Sequence, residues 1–490
     1  MHANKIKIKL ITTLLFLTTP CFAAPQILPT IPNTLKNKVA VSVIDSANTD
    51  VIYHYRESTP MLLASNMKLL TSYAAVQNLG ANFTWKTTLS YNGKVKQDNL
   101  DGNLYLIGGG DPTLSTQSVT NLFMTLKHNG INTIQGNLIL DTHIFNQNVP
   151  SSELYPEPYA SYSVDPKSLI IDENISTLAL RIKANKITFD TYRSAKLKFD
   201  NQLKLINSKF ACNDLSDYVN INKSRAPTPK SKKQKTSDFV LTGNVPASCD
   251  GKNINFYLLD NNQYNRLLVG LILKQQRIKL KGKILIENAP ASTTPIAEIS
   301  SPPLAQVMWQ MNKQSNNLYA KSMLLSLGAY RSANDATYEN AKNIYYRTFN
   351  QSLNFPELKV ENGSGLSRYE QLSATHMTAL LYAMYHDKES ANFINSLPTP
   401  GESGTLQTEF GRYKTQLHAK TGSLSDTKAY SGYFYARNGH VYAISFLANG
   451  ISRGDTGKAE LQTFKQFFAD SLESLNMIES NTSAILNGAK

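Results

Sequence analysis

The 490-residue chain lacks a long apolar run beyond its N-terminus, and it has few cysteines and no histidine pattern typical of a metal site. A membrane-spanning helix needs roughly 20 continuous apolar residues, and no later segment approaches that length. The eight histidines form no H-x-x-x-H pair and no metal-ligand pattern with cysteine. These absences argue against a membrane-spanning protein and a metalloenzyme, so we expect no metal and no organic cofactor.

The first 23 residues predict a secretory signal peptide. Three lysines precede an apolar stretch, and small residues follow up to Ala23, where we expect cleavage. Loss of the three lysines lowers the formal net charge from +14 to +11, so the mature chain stays basic. Such a charge suits an anionic polymer, and export favours cell-wall material over nucleic acid. We expect a periplasmic protein with at most a peripheral association with a membrane.

Cysteine usage fits this export. Cys21 lies in the predicted signal peptide, which leaves Cys212 and Cys249 in the mature chain. Thiols of exported proteins meet an oxidising compartment in which they pair. We therefore predict a disulfide between Cys212 and Cys249.

The predicted secondary structure changes along the chain. Residues 39–55 read as two β-rich runs around a polar turn, and a helix follows them. From about 85 to 290, short β-like runs alternate with Gly, Asn and Asp turns, which predicts a β-rich insertion. Helical patterns return at 302–330, and residues 429–450 predict a β-hairpin around an Asn-Gly pair.

Two segments admit more than one interpretation. Six basic residues lie between 223 and 235, where a solvated loop is favoured over a polyanion-binding site. Near the C-terminus, apolar residues recur at helical spacing from Leu461 to Leu475. This pattern favours a helix packed on the core over a helix on a membrane surface.

Three short motifs carry candidate catalytic residues. Ser65 precedes Lys68 by three positions, so on a helix both side chains project from one face; an ordinary amphipathic helix would show the same spacing. The other two motifs are S-x-N, at Ser315 to Asn317, and K-T-G, at Lys420 to Gly422. Each is weak alone, but their order and context are those of class A β-lactamases and penicillin-binding proteins.

The chemistry of a serine nucleophile explains these residue types. Lys68 can remove the proton of Ser65 only when the lysine is neutral, and burial together with a second cation at Lys420 would lower its pKa. Ser315 could relay a proton between the lysines and a departing amine. The Asn317 amide can both donate to and accept from a substrate peptide bond.

The K-T-G motif and its neighbours suggest how a substrate would bind. Lys420 and Thr421 offer a cation and a hydroxyl to a terminal carboxylate, and Gly422 would let a substrate strand approach the backbone. The backbone N–H groups of Ser65 and Ser423 are the expected oxyanion hole.

Longer segments make the resemblance more specific. From about residue 40 to 470, the chain resembles the class C low-molecular-mass penicillin-binding proteins, the D-alanyl-D-alanine carboxypeptidase/endopeptidase family. The similarity lies in "ASNMKLLTSYAAVQNLG" (64–80), "IGGGDPTLS" (107–115), "NGSGLSR" (362–368), "LPTPGESGTL" (397–406) and "AKTGSL" with a later "SGY". It implies an α+β fold, in which an antiparallel sheet flanked by helices forms a serine D,D-peptidase/β-lactamase-like domain with inserted β-rich domains.

The resemblance also implies a domain organisation. We expect a signal peptide at 1–23, a D,D-peptidase (transpeptidase-like) domain at 24–84 and 292–490, an inserted β-rich domain II at 85–173 and 262–291, and a nested β-rich domain III at 174–261.

The implied function is that of an exported serine D,D-peptidase acting on peptidoglycan stem peptides. Such an enzyme would hydrolyse D-Ala-D-Ala termini and D-Ala-diaminopimelate cross-links through an acyl-enzyme on Ser65, with β-lactams as covalent inhibitors. Relatives are expected to bind the free amino end of diaminopimelate through an acidic residue shortly before an aromatic one. Glu157 and Tyr162 align best with that pair, although a glutamate stands here in place of an aspartate, and a surface glutamate with no partner is the alternative.

The chain departs from the family pattern at a few further positions. Leu63 stands in place of a proline, Asn316 in place of a common aspartate, Lys321 in place of a glutamate and Asn362 in place of an aspartate. None of these changes removes a predicted catalytic group.

Two other functions stay open from the sequence. A β-lactamase needs fast hydrolysis of its acyl-enzyme, and no E-x-x-L-N pattern between Ser65 and Ser315 supplies the deacylating glutamate of class A enzymes. A catalytically weak peptidoglycan- or β-lactam-binding module would keep the site without turnover. The presence of all the candidate catalytic side chains favours the enzyme over this module.

Overall fold

The computed structural model describes residues 28–145, 157–192, 197–207, 211–212, 214–224, 237–332 and 337–478. The predicted signal peptide lies outside these residues, and so does most of the basic segment between 223 and 235.

The α-helices of the described residues include the predicted helix after Ser65 and those of the 302–330 region. They are α1 (Met67–Leu79), α2 (Thr116–His128), α3 (Asn261–Gln275), α4 (Leu304–Gln314), α5 (Asn317–Arg331), α6 (Tyr338–Ser352), α7 (Ala374–Tyr385), α8 (Ser390–Ser396) and α9 (Gly454–Asn476).

The strands of the described residues form several separate sheets. They are β1 (Val39–Asp45), β2 (Val51–Tyr55), β3 (Met61–Leu62), β4 (Lys86–Tyr91), β5 (Lys94–Lys96), β6 (Asn99–Asp101), β7 (Leu104–Ile107), β8 (Thr133–Ile134), β9 (Leu138–Asp141), β10 (Ser176–Lys183), β11 (Lys186–Tyr192), β12 (Phe199–Ile206), β13 (Asn220–Lys223), β14 (Phe239–Pro246), β15 (Asn253–Phe256), β16 (Lys279–Leu280), β17 (Ile284–Ile286), β18 (Thr294–Ser300), β19 (Gln371–Leu372), β20 (Leu417–Leu424), β21 (Thr427–Tyr435) and β22 (Val441–Asn449).

The central sheet joins the beginning of the chain to its end. Its order is β2-β1-β22-β21-β20, and all its pairs are antiparallel. Successive side chains of a strand point to opposite faces, so β21 buries Ala429 and Tyr433 against the helices α1 and α4 to α8, and Tyr430 and Phe434 on the opposite face. The predicted α+β fold, with an antiparallel sheet flanked by helices, is confirmed.

The longest described helix, α9, covers that opposite face. Phe464, Phe468 and Leu472 are fully buried in the same cluster as the β21 side chains. The prediction of a C-terminal helix packed on the core is therefore confirmed. No helix in the described ranges combines the length and the apolar content that crossing a membrane requires.

The segment predicted as a β-rich insertion is rich in strands, and it also contains two helices, α2 and α3, that the sequence analysis did not predict. α2 and α3 pack on a five-stranded sheet, β17-β9-β7-β4-β18, and a four-stranded sheet, β16-β8-β6-β5. Val119, Leu122, Phe123 and Leu126 bury one face of α2 at helical spacing. β18 pairs with β4, although the boundary predicted at residue 291 assigned it to the peptidase domain. The domain boundaries themselves stay a prediction.

A further module lies between β9 and α3 in the chain. It holds two three-stranded sheets, β11-β10-β15 and β12-β14-β13, around one hydrophobic cluster. The predicted disulfide joins Cys212 and Cys249 in this cluster, with a Cα–Cα distance of 5.1 Å.

Candidate active site

Ser65 lies on a single 3₁₀ turn, Ala64–Asn66, that leads directly into α1. Two glycines pack against this turn. A Cβ on Gly422 would lie 2.6 Å from the Leu63 carbonyl oxygen, and a Cβ on Gly365 would overlap the Ala64 carbonyl oxygen. The sequence analysis assigned Gly422 to the approach of a substrate strand. The structure adds a second reason for glycine, because a side chain at this position would collide with the Leu63 carbonyl oxygen.

Lys68 is fully buried and contacts the predicted nucleophile. Its Nζ lies 2.9 Å from Ser65 Oγ, 2.6 Å from Asn317 Oδ1 and 2.5 Å from the Ser364 carbonyl oxygen. The three-residue spacing therefore brings Ser65 and Lys68 together, and the S-x-N motif joins them from a distant part of the chain.

The electrostatic surroundings of Lys68 disfavour its charged form. Burial holds the pKa of Lys68 well below its usual range, the nearby Lys420 lowers this pKa further, and the Glu370 carboxylate opposes the shift. Desolvation and a neighbouring like charge both act against an ammonium ion. These surroundings favour the neutral amine, which is the form of Lys68 that can accept a proton.

Ser315 and Lys420 form a second serine–lysine pair. Ser315 ends α4 in a left-handed conformation, with φ 57° and ψ 37°. Lys420 Nζ donates to Ser315 Oγ and to the Thr421 carbonyl oxygen, at 2.9 Å each. Burial lowers the pKa of Lys420 to about 7, so this lysine can exchange a proton near neutral pH.

Asn317 begins α5 and presents only half of its amide to a ligand. Its Oδ1 accepts from Lys68, whereas its Nδ2 makes a long hydrogen bond of 3.5 Å with the Tyr162 carbonyl oxygen. The amide N–H group is therefore the part of Asn317 that a substrate could engage.

Glu157 and Tyr162 lie together at the exposed rim of the site. Tyr162 Oη donates to Glu157 Oε2 at 2.6 Å. Burial, with a contribution from Glu157, raises the pKa of Tyr162. Glu157 thus has a neighbour within the chain, and its binding of a substrate amine stays a prediction. Lys321 Nζ donates to the Val164 carbonyl oxygen at 3.0 Å and ties the same segment to α5.

Thr421 and Ser423 lie on β20, the edge strand of the central sheet. Thr421 Oγ1 is 2.7 Å from Thr405 Oγ1, and Lys428 Nζ donates to Ser423 Oγ at 3.1 Å. An edge strand carries backbone groups without a strand partner. An extended peptide can pair with such an edge.

Glu370 is a buried residue of the site that the sequence did not reveal. Its carboxylate is fully buried and accepts from the backbone N–H groups of Glu361, Asn362, Gly363 and Gly365 at 2.6 to 3.1 Å. Glu370 thereby holds the loop whose Ser364 carbonyl accepts from Lys68. The only signal in the sequence is a carboxylate shortly after a glycine-containing run.

Lysines are the most numerous buried ionisable side chains around Ser65. Lys68, Lys321 and Lys420 are all almost or fully buried, and burial lowers the pKa of Lys321 to about 8. Across the described ranges, no three His, Cys, Asp or Glu side chains are grouped so as to hold a metal ion. The arrangement suits proton transfer by amines next to a hydroxyl nucleophile.

Comparisons with known proteins identify the family of this chain. The model of the D-Ala-D-Ala carboxypeptidase 3 (S13) family matches residues 26–470. The D-alanyl-D-alanine carboxypeptidase DacB of Haemophilus influenzae is 26% identical over 432 residues, which cover 85% of this chain and 87% of that protein. The D-alanyl-D-alanine carboxypeptidase of Actinomadura sp. (strain R39) is 25% identical over 433 residues, which cover 84% and 78%.

The fold has a close counterpart among solved structures. The crystal structure of penicillin binding protein 4 (dacB) from Haemophilus influenzae matches with a TM-score of 0.74 and 24% sequence identity. The match covers 91% of this chain and 98% of that one.

Replacing Glu370 tests its role in holding the loop of Ser364. In Glu370→Gln, an amide N–H₂ replaces an oxygen that accepts a backbone N–H, so at least one buried N–H loses its acceptor. We expect the free energy of unfolding to fall by about 1–3 kcal/mol, measured by urea denaturation. Glu298→Gln, at a half-exposed ion pair on β18, is the control, with an expected change within about 0.5 kcal/mol. Equal stability of the two variants would contradict this role.

Proposed function

The chain belongs to the D-Ala-D-Ala carboxypeptidase 3 (S13) family and is an enzyme of that class, and from this premise we propose that it is an exported serine D,D-peptidase of peptidoglycan. Ser65 would form an acyl-enzyme with stem peptides, releasing a terminal D-Ala or opening a D-Ala-diaminopimelate cross-link. The observation that carries the proposal is the partly buried hydrogen bond between Lys68 Nζ and Ser65 Oγ at 2.9 Å.

The three contacts of Lys68 suit a neutral amine. A neutral amine has two N–H groups and one lone pair, and two of its neighbours, Asn317 Oδ1 and the Ser364 carbonyl oxygen, can only accept. The lone pair is then directed to the Ser65 hydroxyl. In this state Lys68 accepts the proton of Ser65 as the serine oxygen attacks.

The remaining steps of the proposed reaction use the Ser315–Lys420 pair. Ser65 Oγ bonds to the carbonyl carbon of the penultimate D-Ala, while the backbone N–H groups of Ser65 and Ser423 stabilise the oxyanion. The C–N bond breaks as Ser315, which is hydrogen-bonded to Lys420, gives its hydroxyl proton to the leaving amine, and the proton that Lys68 took from Ser65 is relayed by the two lysines to replace it. Water then hydrolyses the ester, and Ser65 regains its proton.

Substrate binding is assigned to the β20 edge and the rim. Lys420 and Thr421 would bind the terminal carboxylate, the Asn317 N–H₂ group would donate to the stem peptide, and the peptide would lie extended beside Gly422. At the rim, the exposed carboxylate of Glu157 beside Tyr162 would attract the free amine of diaminopimelate. β-Lactams, which present a strained amide to the same serine, would form a stable acyl-enzyme.

Digestion of purified muropeptides tests the proposed reaction. With the mature protein we expect release of D-Ala from pentapeptides and loss of cross-linked dimers, and Ser65→Ala should abolish both products and labelling by a fluorescent penicillin. Chromatography with mass spectrometry measures the products. Labelling of Ser65→Ala would show that another residue is acylated.

Glu157→Gln tests the proposed amine site separately from the chemistry. Removing an exposed charge partner costs up to about 1 kcal/mol, so we expect up to about a fivefold rise in KM for diaminopimelate peptides. Acylation by benzylpenicillin, which carries no such amine, should change less than about twofold. The matched variant Tyr162→Phe keeps the carboxylate and should have a smaller effect on KM. Equal losses with both substrates would argue against the amine site.

A further inference from the structure

Glu173 reaches the S-x-N motif from the inserted segment that precedes β10. Its Oε2 accepts from Asn316 Nδ2 at 2.8 Å, and its Oε1 accepts from Tyr319 Oη at 3.1 Å. Asn316 lies between Ser315 and Asn317, to which the proposed function assigns proton transfer and substrate binding. Glu173 therefore contacts Asn316, the middle residue of the motif, and its hydrogen bonds involve neither the Ser315 hydroxyl nor the Asn317 amide.

The backbone of the motif needs such support. Ser315 has a φ of 57°, a conformation that costs a non-glycine residue free energy and persists only where its surroundings fix it. Asn316 caps α5, because its Oδ1 accepts from the Tyr319 backbone N–H at 3.2 Å. The Nδ2 atom of the same amide donates to Glu173, so both polar atoms of the Asn316 side chain are fixed.

Glu173 is itself held firmly. Asp172, Glu173 and Asn174 all have positive φ angles, of 49°, 55° and 56°. Asp172 accepts from the Thr116 backbone N–H at 3.0 Å, and Asn174 Nδ2 donates to the Leu259 carbonyl oxygen at 3.1 Å. The insertion thus anchors this turn on both sides of Glu173.

We propose that Glu173 is a positioning residue that holds Asn316 and thereby fixes Ser315 beside Lys420 and Asn317 beside Lys68. The role rests on the proposed function, because it matters only if Ser315 and Asn317 act on a substrate. It makes the insertion part of the catalytic apparatus as well as a substrate-binding element.

The chemistry of residue 316 gives a way to test this contact. Asn316 donates to the Glu173 carboxylate, whereas an aspartate at that position would place two carboxylates against each other. A glutamine at 173 would relieve the repulsion, since its N–H₂ can donate to the aspartate. The pair Glu173→Gln and Asn316→Asp therefore exchanges donor and acceptor while preserving shape.

The variants are expected to fold. Glu173 and Tyr319 line a cavity of about 320 Å³, together with Asp172 and Ser115. A change at Glu173 therefore alters the wall of an existing cavity and creates no new void in a packed core. Thermal melting of each variant checks this expectation.

The test measures the acylation rate with a fluorescent penicillin, and kcat and KM with a D-Ala-D-Ala peptide. Because facing carboxylates repel each other, we expect Asn316→Asp to lower the acylation rate and kcat at least about 30-fold, with KM within about threefold. The double variant should recover to within about fivefold of the wild type, and this non-additivity marks a direct contact. Glu298→Gln is the control, with unchanged kinetics.

Each outcome decides the proposal. If Asn316→Asp reacts as fast as the wild type, or if Glu173→Gln fails to rescue it, the role of Glu173 is overturned. Should Asn316→Asp not fold, Glu173→Ala replaces it, with an expected loss of about tenfold in kcat and little change in KM; a normal kcat, or a rise in KM alone, overturns the role. A wild-type protein that forms no acyl-enzyme would overturn the proposed function and this inference together.

Discussion

The side-chain nitrogen of Lys68 lies where three parts of the chain meet, and the rest of the site is arranged around it. The turn before α1 contributes Ser65, the start of α5 contributes Asn317, and the loop held by Glu370 contributes the Ser364 carbonyl. A buried ammonium ion is costly unless it is paired, and its neighbours here are neutral acceptors. Burial therefore lowers its pKa, which favours the neutral amine that the proposed serine chemistry requires.

The insertion contributes to the same region through α5. Tyr162 and Val164 contact Asn317 and Lys321 through their carbonyl oxygens, and Glu173 contacts Asn316. The segment from Tyr162 to Glu173 is thus held at both ends against α5 and its junction with α4, where S-x-N lies. A change in the inserted domain could therefore alter catalysis without any change in the central sheet.

The sequence predicted those residues whose chemistry restricts them to short motifs. Ser65 and Lys68 are three positions apart, and K-T-G precedes a recognisable hairpin; each pattern is weak alone, and the order of the three motifs along the chain made the prediction. Glu370 and Glu173 were missed because each is a single carboxylate whose partners carry no pattern; Glu173 and Asn316 are 143 residues apart. α2 and α3 were missed because β-like runs surround them. The packing of Gly422 against Leu63 likewise depends on a contact that exists only after folding.

The protonation state of Lys68 is the central physical claim, and it can be measured directly. Lysine labelled with ¹³C at Cε would be titrated by NMR in the intact protein, with Lys68→Arg used to assign the Lys68 signal and free lysine as an internal reference. We expect Lys68 to titrate well below free lysine, because burial and Lys420 disfavour its charge. A Lys68 signal that titrates together with free lysine would contradict the assignment of this residue as the base for Ser65.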